Sequence, residues 1–268
     1  MKLATFTHAG VTRIGVVVGD EVVDLATAAP EMPRTLEAFL AAGPAALERA
    51  RSAARGGPRI PLVQVRLEAP VQRPRKFLAI GLNYADHVAE TGRAAPKFPV
   101  FFNKQVSCVN GPFDPIWMPR VSDKLDYEGE LAFVIGKRCR HVPKERAPTM
   151  TLGKSFDTHG PLGPWLVTPD ELGDPHMLDL ETTVDGERRQ KSNTRNLIFD
   201  CFAQVETLST VFTLEPGDVV STGTCGGVGV AMNPRGYLKV GQRVRIEISG
   251  LGAIESEVVP EPASSQQL

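Results

Sequence analysis

Residues 124–137 read KLDYEGELAFVIGK, and the run from Tyr127 to Ile135 carries the strand signal around which the rest of the chain is organised. Aromatic and β-branched residues (Phe133, Val134, Ile135) crowd its second half, and Gly136 closes it. On a strand, side chains two apart share a face, so Glu128 and Glu130 project together. Neighbouring carboxylates repel one another unless one is protonated or a cation lies between them. With no cysteine or histidine at that spacing, the oxygen donors favour a hard ion, Mg2+, Mn2+ or Ca2+, over zinc. The alternative reading of the same pair is a solvated strand face.

Similar runs recur on both sides. Phe77 to Ile80, Phe98 to Phe102, Val219 to Ser221 and Val244 to Ile248 are apolar stretches bounded by glycine and proline. Helical spacing is confined to Tyr84–Thr91 and Asn196–Leu208 in this part of the chain. No repeat of 20–50 residues is visible. The balance predicts a mainly β fold with some α, Greek-key or barrel-like rather than a doubly wound α/β sheet. Further upstream, residues 12–26 read as a β-hairpin around Gly19-Asp20. Thr35 to Ala54 reads as helix, divided by Gly43-Pro44 because proline suits the first turn of a second helix. A proline-bearing stretch (Pro61, Pro70, Pro74) places a boundary near residue 70. The expected organisation is a small α+β N-terminal domain, 1–70, and a β-rich catalytic domain, 71–268.

Composition narrows the function. The chain has 268 residues, 42% hydrophobic and 23% charged, with 30 basic against 31 acidic side chains and a net charge of −1. That balance supplies no electrostatic drive toward nucleic acid or an anionic membrane. The four cysteines, Cys108, Cys139, Cys201 and Cys225, are scattered without zinc spacing and read as reduced thiols. No signal-peptide core is present, and the apolar stretch from Leu36 to Leu47 is too short to span a bilayer, so a cytoplasmic protein is expected.

Three further stretches carry possible chemistry. In GLNYADHVAE, 81–90, Asn83 is placed to cap a helix beginning at Tyr84, on which His87 and Glu90 share a face. A carboxylate beside an imidazole orients it for general-base work, although a surface ion pair has the same spacing. In Gly153-Lys154-Ser155-Phe156, Lys154 is either a fixed cation for an anionic substrate or an exposed side chain. Residues 216–229 end in a glycine-rich turn that lets backbone N–H groups approach an anion or simply joins two strands.

Taken together, GLNYADHVAE, FFNKQVSCVNGP, KLDYEGELAFVIGK, TLGKSFDTHGPLGPWLVT, LEPGDVVSTGT and YLKVGQ resemble, in this order, the fumarylacetoacetate hydrolase family. The likeness runs from Phe77 to Val258 and is strongest toward bacterial acylpyruvase-like members. It implies a β-rich catalytic domain, a catalytic Mg2+ or Mn2+, a homodimer and a small oxo-acid substrate. By position, Glu128 and Glu130 match two metal carboxylates, His87 and Glu90 the water-activating pair, and Lys154 the lysine near the substrate. Tyr84, Gly223 and Thr224 match substrate-binding positions, with Cys225 where a proline is common.

The family pattern breaks at one place. Between the IGK strand and GKSFDT the family has an N-D-x-S-A-R-D-x-Q-like segment that supplies a third metal carboxylate, an arginine and a glutamine. Here Lys137 leads through RCRHVPKERAPTM straight to Thr151. Either the chain lacks the segment, leaving the metal site incomplete, or the sequence as written passes over an active-site loop; the intact flanking motifs favour the second. The expected reaction is metal-dependent cleavage of a C–C bond in a 2,4-dioxo acid, with water deprotonated by His87. Decarboxylation of oxaloacetate, isomerisation of an oxo acid and sugar-acid hydrolysis suit the same site, as does a non-catalytic binding role.

Overall fold

The computed structural model describes residues 1–138 and 157–262. The fold is mainly β. Its first sheet is built from the N-terminal residues: Lys2–His8 pairs with Val11–Val18, which pairs with Glu21–Asp24 and then Arg59–Pro61. The hairpin at Gly19-Asp20 forms where the sequence predicts it. The predicted helical stretch divides as expected, into Leu36–Ala41 and Pro44–Gly56, with Pro44 in the first turn of the second. The outer edge of Lys2–His8 takes Arg66–Glu68 and also Leu166–Val167, a strand from far down the chain. One apolar cluster, including Leu3, Leu36, Phe39, Val71, Phe77 and Val219, runs across residue 70 without a gap.

The sheet that positions the site has four strands, ordered Glu130–Val134, Val219–Thr224, Phe77–Gly81 and Val100–Lys104. Val219–Thr224 runs parallel to Phe77–Gly81 and antiparallel to Glu130–Val134. The helix Cys201–Val211 brings Leu208 against Leu78, Ile135, Leu214 and Val220. Burying a leucine in such a cluster contributes about 1.5–3 kcal/mol. This helix starts later than its apolar spacing predicts, because Asp200 accepts the Ala203 N–H at 2.7 Å and caps it there.

The third sheet orders Glu187–Asn193, Asp179–Val184, Arg243–Ile248, Gly252–Pro260 and Ile116–Met118. Its Asp179–Asn193 hairpin is absent from the expectations above, although the sequence carries a signal for it. Asp185-Gly186 has φ of +50° and +79°, the left-handed pair a tight two-residue hairpin demands. Among the described residues no helix is long and apolar enough to cross a membrane.

Candidate active site

The strand predicted over Tyr127–Ile135 forms only from Glu130 to Val134. The residues before it bond elsewhere. Tyr127 donates its hydroxyl to the Gly227 carbonyl at 2.9 Å, and the Gly129 N–H goes to Gln190 Oε1 at 2.9 Å. Gly129 has to be glycine: a Cβ there would lie 2.4 Å from Thr182 Oγ1. Glu128 and Glu130, on either side of it, both line a cavity of about 410 Å3. Lys104, His159, Ser221 and Tyr237 line it as well, among largely apolar walls. Its size is that of a small-molecule site.

Glu130 is fastened to the strand beside it. Its Oε2 accepts the Ser221 hydroxyl and, at 2.9 Å, the Gly223 N–H. Asp126, which also lines the cavity, is occupied on both oxygens: Oδ1 accepts from Tyr127 and Gly229 and Oδ2 from Val230, all backbone N–H groups at 2.7–2.9 Å. Burial pushes its carboxyl above the ordinary carboxylate range, partly opposed by those bonds. Asp126 is therefore a clamp on the 229–230 turn.

His87 and Glu90 lie on the helix Ala85–Thr91, and the structure joins them. His87 Nδ1 is 2.6 Å from Glu90 Oε1, and Glu90 Oε2 accepts the Gly227 N–H at 2.8 Å. Neither residue lines the cavity, but Gly227 links the two places, bonding Glu90 through its N–H and Tyr127 through its carbonyl. Gly227 sits at φ +101°, and a Cβ would come within 2.1 Å of the Arg189 carbonyl oxygen, so only glycine fits. The His87–Glu90 pair and Glu130 thus both bond to one loop, 223–230.

The expected cap differs. The helix begins at Ala85 rather than Tyr84, and Asn83 does not cap it. Instead Asn83, fully buried, donates to the carbonyls of Phe199 and Thr222 at 2.9 Å each and accepts the Phe199 N–H at 2.7 Å. Tyr84 is also fully buried, packed with Leu131, Leu180, Cys201 and Cys225, and burial raises its phenol. Gly223 reaches the site through its N–H to Glu130. Thr224 donates to the Gly129 carbonyl at 3.1 Å and accepts from Gln190 at 2.9 Å, so its hydroxyl knits the loop to the hairpin. Burial pushes the Cys225 thiol up to about 12. Lys154 lies outside the described residues.

Two cavity residues, Lys104 and His159, were not singled out from the sequence as candidates. Lys104 ends the apolar run FFNK, and its Nζ donates to the His159 carbonyl at 3.1 Å while lying 5.5 Å from the Phe77 ring centroid. His159 Nε2 is 2.9 Å from the Trp117 carbonyl, and burial holds its imidazole below the usual histidine range. The signal for both is a polar residue closing an apolar or proline-stiffened stretch.

The family model for fumarylacetoacetate hydrolase, C-terminal, matches residues 76–153 and 146–259. The chain belongs to this family. An oxaloacetate tautomerase (fahd2, mitochondrial) of Xenopus laevis is 40% identical over 266 aligned positions, covering 90% of this chain and 83% of that protein. A Burkholderia ambifaria relative is 46% identical over 219 positions, covering 72% of this chain and 78% of its own length. The maleylpyruvate hydrolase of Sphingobium sp. SYK-6, solved in complex with manganese(II) and pyruvate, is 33% identical with a TM-score of 0.81, covering 98% of this chain and 100% of that one.

These alignments decide between the two explanations of the broken pattern. Ninety per cent of 268 residues is about 241, so about 25 of the 266 positions aligned with the Xenopus protein have no residue of this chain opposite them. The Burkholderia alignment leaves about 26, since 72% of the chain is about 193 residues against 219 positions. The family match divides at residues 146–153, where the N-D-x-S-A-R-D-x-Q-like segment belongs. The segment is missing from this chain, and the expectation of a loop merely passed over is corrected. Among the described residues no group of three or more His, Cys, Asp or Glu is placed to hold a metal ion. Among the described residues, Glu128 and Glu130 are the carboxylates that match the family's metal positions, and Asp126 gives its oxygens to backbone N–H groups.

Proposed function

We propose that this chain catalyses keto–enol proton transfer on a small 2-oxo dicarboxylate of the oxaloacetate type. The observation that carries the reading is the His87–Glu90 pair, held from both ends. A carboxylate 2.6 Å from Nδ1 keeps the proton on that nitrogen and leaves the Nε2 lone pair as the base. Glu90 is itself held by the Gly227 N–H. Nε2 takes a proton from C3 of the keto acid, the C–H electron pair becomes the C2–C3 double bond, and the carbonyl pair moves to the 2-oxo oxygen. The imidazolium, stabilised by Glu90, returns the proton to that oxygen. Run backwards, the steps convert enol to keto; no water or other reactant is consumed. Similarity to the Xenopus tautomerase over 90% of the chain supports this choice.

A second reading is cleavage of an acylpyruvate, favoured by the likeness to maleylpyruvate hydrolase. There His87 would deprotonate a water instead. Hydrolysis must also stabilise a departing enolate, and this chain has one carboxylate fewer with which to hold an ion for that purpose. The two readings separate when enol-oxaloacetate and acetylpyruvate are offered in parallel. The first predicts faster loss of the enol's ultraviolet band and intact acetylpyruvate. Release of pyruvate from acetylpyruvate with no effect on the enol would replace it with the second.

A further inference from the structure

We infer, resting on the proton transfer proposed above, that Gln190 is the positioning residue that sets the base pair against the cavity. His87 and Glu90 do not line the cavity, so their place relative to it has to be fixed from elsewhere. Gln190 stands between the two. It is buried on the strand Glu187–Asn193, directly opposite Thr182 of the neighbouring strand. Its Oε1 accepts the Gly129 N–H at 2.9 Å, in the wall segment between Glu128 and Glu130. Its Nε2 donates to the Cys225 carbonyl and to Thr224 Oγ1, both at 2.9 Å. Thr224 in turn donates to the Gly129 carbonyl at 3.1 Å, which closes a ring of bonds. From Cys225 the loop runs on to Gly227, whose N–H holds Glu90 at 2.8 Å.

The two backbone partners dictate the residue type. An N–H only donates and a carbonyl only accepts, so one end of the side chain must accept and the other must donate. A buried amide does both. A carboxylate or an apolar chain of the same length leaves one or both backbone groups unpaired, which is costly in a buried place. The same strand face carries a second tie: Ser192, two residues on, donates to Asp86 Oδ2 at 2.6 Å on the helix that bears His87. The hairpin register slips by one residue at Arg189, and such a bulge re-aims the side chains beside it. Residues 190–192 thereby bond to the cavity wall, the shared loop and the base helix.

The test compares Gln190→Met, which keeps the length of the side chain, with Val22→Ala, a buried position packed with Ala4, Phe6 and Val17 in the N-terminal sheet. Both are assayed at a temperature where circular dichroism shows them folded. With enol-oxaloacetate, Gln190→Met is expected to lower kcat by about 10–100-fold and to leave KM within about twofold, since a misplacement of about 1 Å costs on the order of 10²-fold. Val22→Ala should leave both constants unchanged. Hydrogen exchange should quicken in residues 126–130 and 223–230 of the Gln190→Met protein and stay at wild-type rates across the N-terminal sheet. Should Gln190→Met not fold, Gln190→Glu at alkaline pH carries the same comparison: it keeps an acceptor for Gly129 and, ionised, has no proton for Cys225. An unchanged kcat, a loss carried by KM, an equal loss in Val22→Ala, or exchange that quickens throughout the chain or not at all would overturn the assignment. A wild-type protein inert toward enol-oxaloacetate would instead sink the proton-transfer reading, and exchange in the two segments would still decide whether Gln190 ties them.

Discussion

The two halves of the site have fared differently. On the His87 side a chain of bonds is in place: Glu90 holds the imidazole, Gly227 holds Glu90, and Ser192 holds the neighbouring Asp86 at 2.6 Å. On the Glu130 side two carboxylates remain, and the segment that completes the family's set is gone. The loop 223–230 serves both, giving the Gly223 N–H to Glu130 and the Gly227 N–H to Glu90. The His87 side draws its bonds from the shared loop and from the Asp179–Asn193 hairpin. On the proposed reading, the proton-transfer pair and the Glu130 carboxylate bond to different residues of one loop.

Substitutions at the intact half should have the largest effects. His87→Ala is expected to slow enol conversion by about 10²–10³-fold with little change in stability, since its ring makes the one bond to Glu90 described above. Stopped-flow decay of the enol band measures this. Asn83→Ala breaks the tie between the base helix, the Val219–Thr224 strand and the Phe199 turn. It removes three bonds at a fully buried position and should cost about 2–3 kcal/mol in urea unfolding. Glu90→Gln keeps an acceptor for Nδ1 but not the charge that stabilises the imidazolium, and a loss of about tenfold in rate is expected.

The smallest effect belongs to the cavity wall. His159 has its folded pKa depressed by burial, so the unfolded chain binds its proton more readily. Its contribution to stability is complete above about pH 6.5 and falls as pH drops from there toward the lower folded value. His159→Gln, which keeps a donor for the Trp117 carbonyl, should flatten that part of the stability–pH curve. An unchanged slope between about pH 7 and pH 5 would show that His159 titrates normally in the fold.

Much of this was legible in the residues. The N-terminal hairpin, the helix division at Gly43-Pro44 and the strands at Phe77 and Val219 follow from local signals that tertiary packing reinforced. The pairing of His87 with Glu90 follows from helical spacing. What local pattern could not supply is where long-range bonds override it. Tyr127 and Gly129 look like strand but bond to Gly227 and Gln190, about 100 and 61 residues away. Asn83 looks like a helix cap but is spent on Phe199 and Thr222. The Asp179–Asn193 hairpin had a readable Asp-Gly turn, yet its strands, rich in Glu, Arg, Lys and Gln, lack the apolar alternation that marks a half-buried strand.

The central claim is that the base half works although the carboxylate half is incomplete. Enol-oxaloacetate conversion by the wild-type protein, His87→Ala and Glu128→Gln, measured side by side with and without chelator, tests it most directly. The account predicts that His87→Ala falls to the uncatalysed rate while Glu128→Gln in chelator keeps a measurable rate above it. Undiminished conversion by a folded His87→Ala protein would contradict the account.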